Sequence, residues 1–139
     1  MCNEFTCIPG LRLLIIDNDA DTREMLYILF NLEGAEALTV GSAREALEVV
    51  SDFKPDVLIC DLYLSDEMGY SLLPKIRSIE AAKGRWTPAI ALTGSTREKD
   101  CAYAFTAGFQ MYLSKPVNLD ELLNKVARLA FDAAHKQLA

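Results

Sequence analysis

The chain has 139 residues, 51% of them hydrophobic, with 14 basic against 20 acidic side chains and a formal net charge of -6. That length suits one compact domain with a real core, and the acidic balance argues against the clustered Lys and Arg by which proteins grip nucleic acid. No apolar stretch approaches the ~20 residues that a membrane helix needs. The start, Met1-Cys2-Asn3-Glu4-Phe5, lacks the regions of a signal peptide, so a cytoplasmic location is the default expectation.

Residues 1–10 read as an unpatterned leader ending at Pro9-Gly10. A first strand is predicted over 11–16. It is followed by a helix over 21–33 with Met25, Leu29 and Leu32 along its apolar side and Gly34 placed to end it. A second, more polar strand over 36–40 reads as an edge. Ser42-Ala43-Arg44-Glu45 is a capping box for a helix carrying Ala43, Ala46, Leu47 and Val50, which Lys54-Pro55-Asp56 stops. A third strand over 56–60 leads through Asp61 and a loop to Gly69, and the next helix carries Leu72, Leu73, Ile76 and Ile79. Pro74 fits the start of that helix if Ser71 is its N-cap; otherwise a kink is expected.

A fourth strand ends at Thr93, and Ser95-Thr96-Arg97-Glu98 opens a helix that Gly108 closes. The fifth strand is placed at 109–113. Asn118 and Glu121 cap a last helix with Leu119, Leu122, Leu123, Val126, Leu129 and Ala130 on one face, before a tail at 132–139. Alternating apolar runs and helical segments predict an α/β domain over 11–131: a doubly wound five-stranded parallel sheet of order 2-1-3-4-5, with five helices on both faces. The cysteines form no C-x-x-C pair and have no clustered histidine, which argues against zinc. Cys60 and Cys101 read as small core residues, and Cys2 and Cys7 as surface thiols.

In that order the carboxyl ends of the strands bring Asp17, Asp61, Thr93 and Lys115 to one edge, where open α/β sheets place their sites. Two acids, a hydroxyl and an ammonium suit phosphoryl chemistry: carboxylates hold a divalent cation while the other two take phosphoryl oxygens.

These residues resemble the receiver domain of two-component response regulators, over about 11–130. The likeness rests on an acid after strand one, an acid after strand three, Thr after strand four and Lys115-Pro116 after strand five, with Gly69 eight residues beyond Asp61 and Tyr112 three before Lys115. The resemblance implies a flavodoxin-like fold and a signalling switch, not an enzyme beyond its own phosphorylation and dephosphorylation. Asp61 would be the phosphoacceptor, with Thr93 and Lys115 as partners of the phosphoryl group and Tyr112 as the following switch residue. Mg²⁺ would be held by Asp17, Asn18, Asp61 and the backbone carbonyl of Tyr63. Lys115-Pro116 would be a cis peptide.

The implied partners are a sensor histidine kinase or histidine phosphotransfer protein, and a downstream protein bound by the fourth helix, fifth strand and fifth helix. Arg97, Lys99, Tyr103 and Asn124 are candidates on that face, which would also serve homodimerisation; neither nucleic acid nor membrane is expected. With nothing after the last helix to act as effector, a stand-alone receiver is the expectation.

This chain departs from the family pattern in places. Asn18 stands where an acid is usual, so weaker Mg²⁺ binding is expected unless Asp19 compensates, with Trp86 as a reporter. Asp19 and Asp21 read more simply as solvated residues at a helix N-terminus. Ser65 and Met68 suggest a looser loop after Asp61, in which Asp66 and Glu67 are solvated. Tyr63 and Ser95 flank the path of a hydrolytic water, and the Tyr63 ring would shield an acyl phosphate. His135 is not a phosphodonor. Two alternatives stand: a receiver-like interaction module that takes no phosphate, and a haloacid-dehalogenase-type phosphatase with Asp17 as nucleophile and Asp19 as general acid.

Overall fold

The computed structural model describes residues 8–94 and 98–136. Five strands, β1 (Arg12–Ile16), β2 (Glu36–Val40), β3 (Val57–Asp61), β4 (Ala89–Thr93) and β5 (Met111–Ser114), alternate with five helices, α1 (Ala20–Leu32), α2 (Ala43–Phe53), α3 (Gly69–Ala81), α4 (Glu98–Ala107) and α5 (Leu119–Lys136). All strand pairs are parallel, in the order β2-β1-β3-β4-β5. This is the predicted topology, with the polar-flanked β2 at one edge.

The side-chain alternation of a strand sorts the core into two halves. Leu14, Ile16, Leu58, Cys60, Ala89 and Ala91 face α2, α3 and α4, where Ala46, Val50, Leu72, Leu73 and Ile76 meet them. Leu13, Ile15, Val57, Ile59, Ile90, Leu92 and Leu113 face α1 and α5 through Leu26, Phe30, Leu122 and Val126. Both faces being covered, β3 and β4 are buried at every residue, which is why they read as continuous apolar runs.

Several local expectations are revised. In α1 the buried side chains are Leu26 and Phe30, whereas Met25 and Leu32 lie exposed with Ile28. The helix is apolar nearly all round, so periodicity alone could not choose its inner stripe. Gly34 does end it: at φ +83 it lets the Ala35 N–H reach the Phe30 carbonyl. Met68, not Ser71, is the N-cap of α3, so Pro74 lies inside the helix. Its ring cannot donate to the carbonyl one turn back.

Ile8, within the expected leader, is buried in the core, and α5 continues to Lys136 through the expected tail. Trp86 precedes β4, at the opposite end of the strand from Thr93, with Arg77 stacked over its ring at 4.3 Å. It is therefore badly placed to report cation binding at the carboxyl edge. Cys60 is buried as expected. The Ser95 cap and the Cys2 and Cys7 thiols lie outside the described residues.

Gly69 fixes how α3 leaves the sheet. A Cβ there would stand 2.5 Å from the Asp61 carbonyl oxygen and 2.9 Å from the Leu62 Cα, and the Gly69 N–H donates to the Leu62 carbonyl at 2.7 Å. Gly69→Ala must push backbone against backbone. It is expected to lower stability by about 2–3 kcal/mol, measured by urea unfolding.

Candidate functional site

Register brings the acids together before any side chain is considered. Ile16 pairs with Cys60, so the next residues, Asp17 and Asp61, lie side by side where β1 and β3 end. Asp61 in turn pairs with Leu92, one residue short of Thr93, and Thr93 pairs with Ser114, one short of Lys115. Main-chain bonds continue the alignment past the strands: Lys115 N–H to the Thr93 carbonyl at 2.7 Å, Leu62 N–H to Leu92 at 2.9 Å and Asp17 N–H to Val40 at 3.1 Å.

Three of the four side chains meet, and the fourth, Thr93, follows the β4 residue that pairs with Asp61. The Lys115 ammonium lies 2.8 Å from Asp17 Oδ2 and 2.9 Å from Asp61 Oδ2, bridging two carboxylates that are 0% and 7% exposed. The other oxygen of each acid accepts a backbone N–H, Asp17 Oδ1 from Asp19 and Asp61 Oδ1 from Tyr63, both at 2.9 Å. Thr93 is fully buried at the end of β4. The Lys115-Pro116 peptide is cis.

Tyr112 is 38% exposed, with its ring edge-to-face on Phe105 at 5.6 Å between centroids. Asn124 is exposed on α5. Arg97 lies outside the described residues, as do the side chains of Lys99 and Tyr103. His135 stacks on Phe131, remote in sequence from the four.

Asn18 is exposed at the start of the loop after β1. Asp19 does not turn inward to compensate. Its Oδ2 accepts the N–H and hydroxyl of Thr22, which makes it the N-cap of α1 and holds its carboxyl below the ordinary carboxylate value, the Thr22 side-chain hydrogen bond being the largest cause. Among the described residues no three His, Cys, Asp or Glu side chains gather at one point. Two converging carboxylates, followed in the chain by the Asn18 amide, make a hard-oxygen donor set suited to Mg²⁺, but with one charge fewer than three acids would offer.

The loop after Asp61 is tied rather than loose. Tyr63 and Met68 form an antiparallel bridge, Glu67 holds Ser71 at 2.7 Å and Lys75 at 2.8 Å, and Asp66 accepts the N–H groups of Ala43 and Arg44 at 3.0 Å each. Both acids bind neighbours instead of water alone, and both carboxyls lie below their ordinary values: Asp66 through the Arg44 and Ala43 N–H groups, Glu67 through Lys75 and Ser71. Sequence reasoning also missed Arg23, whose guanidinium donates to the Asp17 carbonyl at 2.7 Å and steadies the first acidic loop. A lone Arg in the first turns of a helix gives no signal of such a role.

Residues 13–127 match the response regulator receiver domain family. The chain belongs to that family. It is 38% identical to an uncharacterized 14.6 kDa protein of Leptolyngbya boryana, over 89% of this chain and 95% of that one. It is 31% identical to the response regulator SaeR of Staphylococcus epidermidis, over 85% of this chain but 51% of that protein's length. A two-component response regulator structure from Clostridium difficile superposes with a TM-score of 0.80 at 28% identity, covering 86% of this chain and 95% of that one. As a receiver domain the chain is homologous to response regulators, whose two-component signalling is regulated by phosphorylation; the family acts as a switch rather than as a classical enzyme. No helix among the described residues is long and apolar enough to cross a membrane.

Burial alone would push the Lys115 ammonium down, but its contacts and charge interactions with Asp17 and Asp61 reverse the direction, so its pKa lies above the ordinary lysine value. The stability gained from this receiver's ammonium is therefore complete below the unfolded value of about 10.4 and is lost as pH rises through the higher folded value. Lys115→Met is expected to cost about 3 kcal/mol at neutral pH, because two buried carboxylates lose their cation. It should also remove the alkaline fall in stability that this group causes. Urea unfolding of both proteins across neutral and alkaline pH, with chelator present, measures the two effects.

Proposed function

We propose that this receiver takes a phosphoryl group on Asp61 from the phosphohistidine of a sensor histidine kinase or a histidine phosphotransfer protein, in the cytoplasm. The observation that carries the reading is the buried Asp61 carboxylate held between the Lys115 ammonium and the Tyr63 N–H. An Asp61 oxygen forms the bond to phosphorus in line with the leaving imidazole, the P–N bond breaks with its electron pair going to nitrogen, and the imidazole, already protonated on its other ring nitrogen, leaves neutral. Lys115 then pairs with the phosphoryl oxygens, and the Thr93 hydroxyl donates to one of them.

Receiver domains generally bind Mg²⁺ through acidic residues. Here Asp17, Asp61, the Asn18 amide oxygen and the Tyr63 backbone carbonyl would hold it. The ion supplies positive charge against the repulsion between carboxylate and phosphoryl oxygens.

Tyr112 follows Thr93 inward, giving up its edge-to-face contact with Phe105, and the surface of α4, β5 and α5 changes for its downstream partner. The exposed Tyr63 ring, 43% accessible beside Asp61, shields the acyl phosphate from water.

Incubation with acetyl phosphate and Mg²⁺ followed by peptide mapping is expected to place the label on Asp61 and to find none on Asp61→Asn. Label on Asp17 with steady turnover would support the phosphatase alternative instead. Absence of label at high Mg²⁺ would favour the phosphate-independent interaction module, for which Asn18 is the specific observation. Asn18→Asp is expected to raise Mg²⁺ affinity about tenfold, read by calorimetry; equal affinities would remove the charge argument. Tyr63→Ala is expected to shorten the lifetime of the phosphorylated form, followed as loss of label, and an unchanged rate would discard the shield.

A further inference from the structure

The N-terminus of α2 is capped from two places. Ser42 Oγ accepts the Glu45 N–H at 3.1 Å, as a capping box requires, but the Glu45 carboxylate takes the Ser42 hydroxyl at 3.3 Å. The first two helical N–H groups, those of Ala43 and Arg44, point instead at separate oxygens of Asp66, more than twenty residues away in the loop that follows Asp61. Two donors shared between two oxygens make a clamp, strengthened because the acceptor is charged and sits at the positive end of a helix.

The clamped segment is short and closed at its base. Tyr63 and Met68 bridge across it, the Gly69 N–H donates to the Leu62 carbonyl, Leu64 is buried in the core, and the Tyr63 N–H ends on the Asp61 carboxylate. Asp66 stands at the tip of this loop, so fixing it on α2 fixes the backbone at Tyr63, whose N–H and carbonyl lie on either side of its Cα. We propose that Asp66 is a positioning residue of the phosphoacceptor loop, docking it on the N-terminus of α2 and thereby setting the Tyr63 backbone against Asp61. The proposal rests on the reading of Asp61 and its cation given above for its functional consequence, though not for the clamp itself.

Ser42→Ala is the control, since it removes a cap from the same helix without touching the loop. In Asp66→Ala, amide hydrogen exchange of Tyr63 and Gly69 should accelerate about tenfold, the loss of a charged hydrogen-bonded pair, while Ser42→Ala should leave both amides near wild type. The Mg²⁺ concentration giving half-maximal labelling by acetyl phosphate should rise about tenfold in Asp66→Ala and stay unchanged in Ser42→Ala. Asp66→Asn should recover part of each effect, because its amide oxygen accepts one of the two N–H groups.

Equal behaviour of Asp66→Ala and Ser42→Ala in exchange, or exchange at Tyr63 and Gly69 unchanged in Asp66→Ala, would overturn the proposal. Faster exchange with an unshifted Mg²⁺ requirement would overturn its functional half. A wild-type protein that takes no label would count against the reading of Asp61. The exchange comparison, which needs neither metal nor donor, would then decide the role of Asp66.

Discussion

Two carboxylates side by side and out of water repel each other and lose hydration, and the ammonium of Lys115 is what lets Asp17 and Asp61 remain there together. Its Nζ lies within 2.9 Å of an oxygen of each, and the remaining oxygens are occupied by the N–H groups of Asp19 and Tyr63. Removal of the ammonium from this triplet leaves two carboxylates uncompensated in a low-dielectric surrounding. The chain around it serves that arrangement. The loop held by Asp66 starts from Asp61, and the close approach at Gly69 is to the Asp61 carbonyl.

The same triplet frames what Asn18 does. An acid there would add a third negative charge to a pair already served by one ammonium, and a neutral amide avoids that repulsion. It also lowers the attraction for a divalent cation. Asp19, the nearest acid in sequence, is committed to the first turn of α1 and offers no substitute charge.

The runs of β1, β3 and β4 and their closing residues were legible because those strands are short, buried along nearly their whole length and closed by a polar residue, so their apolar blocks and boundaries coincide with the architecture. Topology followed from the alternation with helices, and with it the meeting of Asp17 and Asp61. What escaped was whatever depends on choice among equivalent faces or on partners far apart in sequence. In α1, Met25, Leu29 and Leu32 formed as good a stripe as Leu26 and Phe30, and only packing against Leu13 and Ile15 decides between them. The partnership of Asp66 with α2 spans 23 residues between a loop and a helix N-terminus, and no local pattern announces it. Pro74 suggested a helix start three residues later than the one found, since the Gly69 turn carries no side chain to signal a cap.

The amino ends of the strands are furnished very differently from the carboxyl ends. There Arg12 donates to the Phe53 carbonyl and pairs with Glu36 while its N–H meets Asp56, Arg85 donates to Pro55, and buried Glu80 joins Arg77 and Thr87. Guanidinium groups there are spent on main-chain oxygens, stitching strand starts to neighbouring turns. One rim of the sheet is therefore a sewn hem. A rearrangement that began where the acids gather would pull against that anchored border.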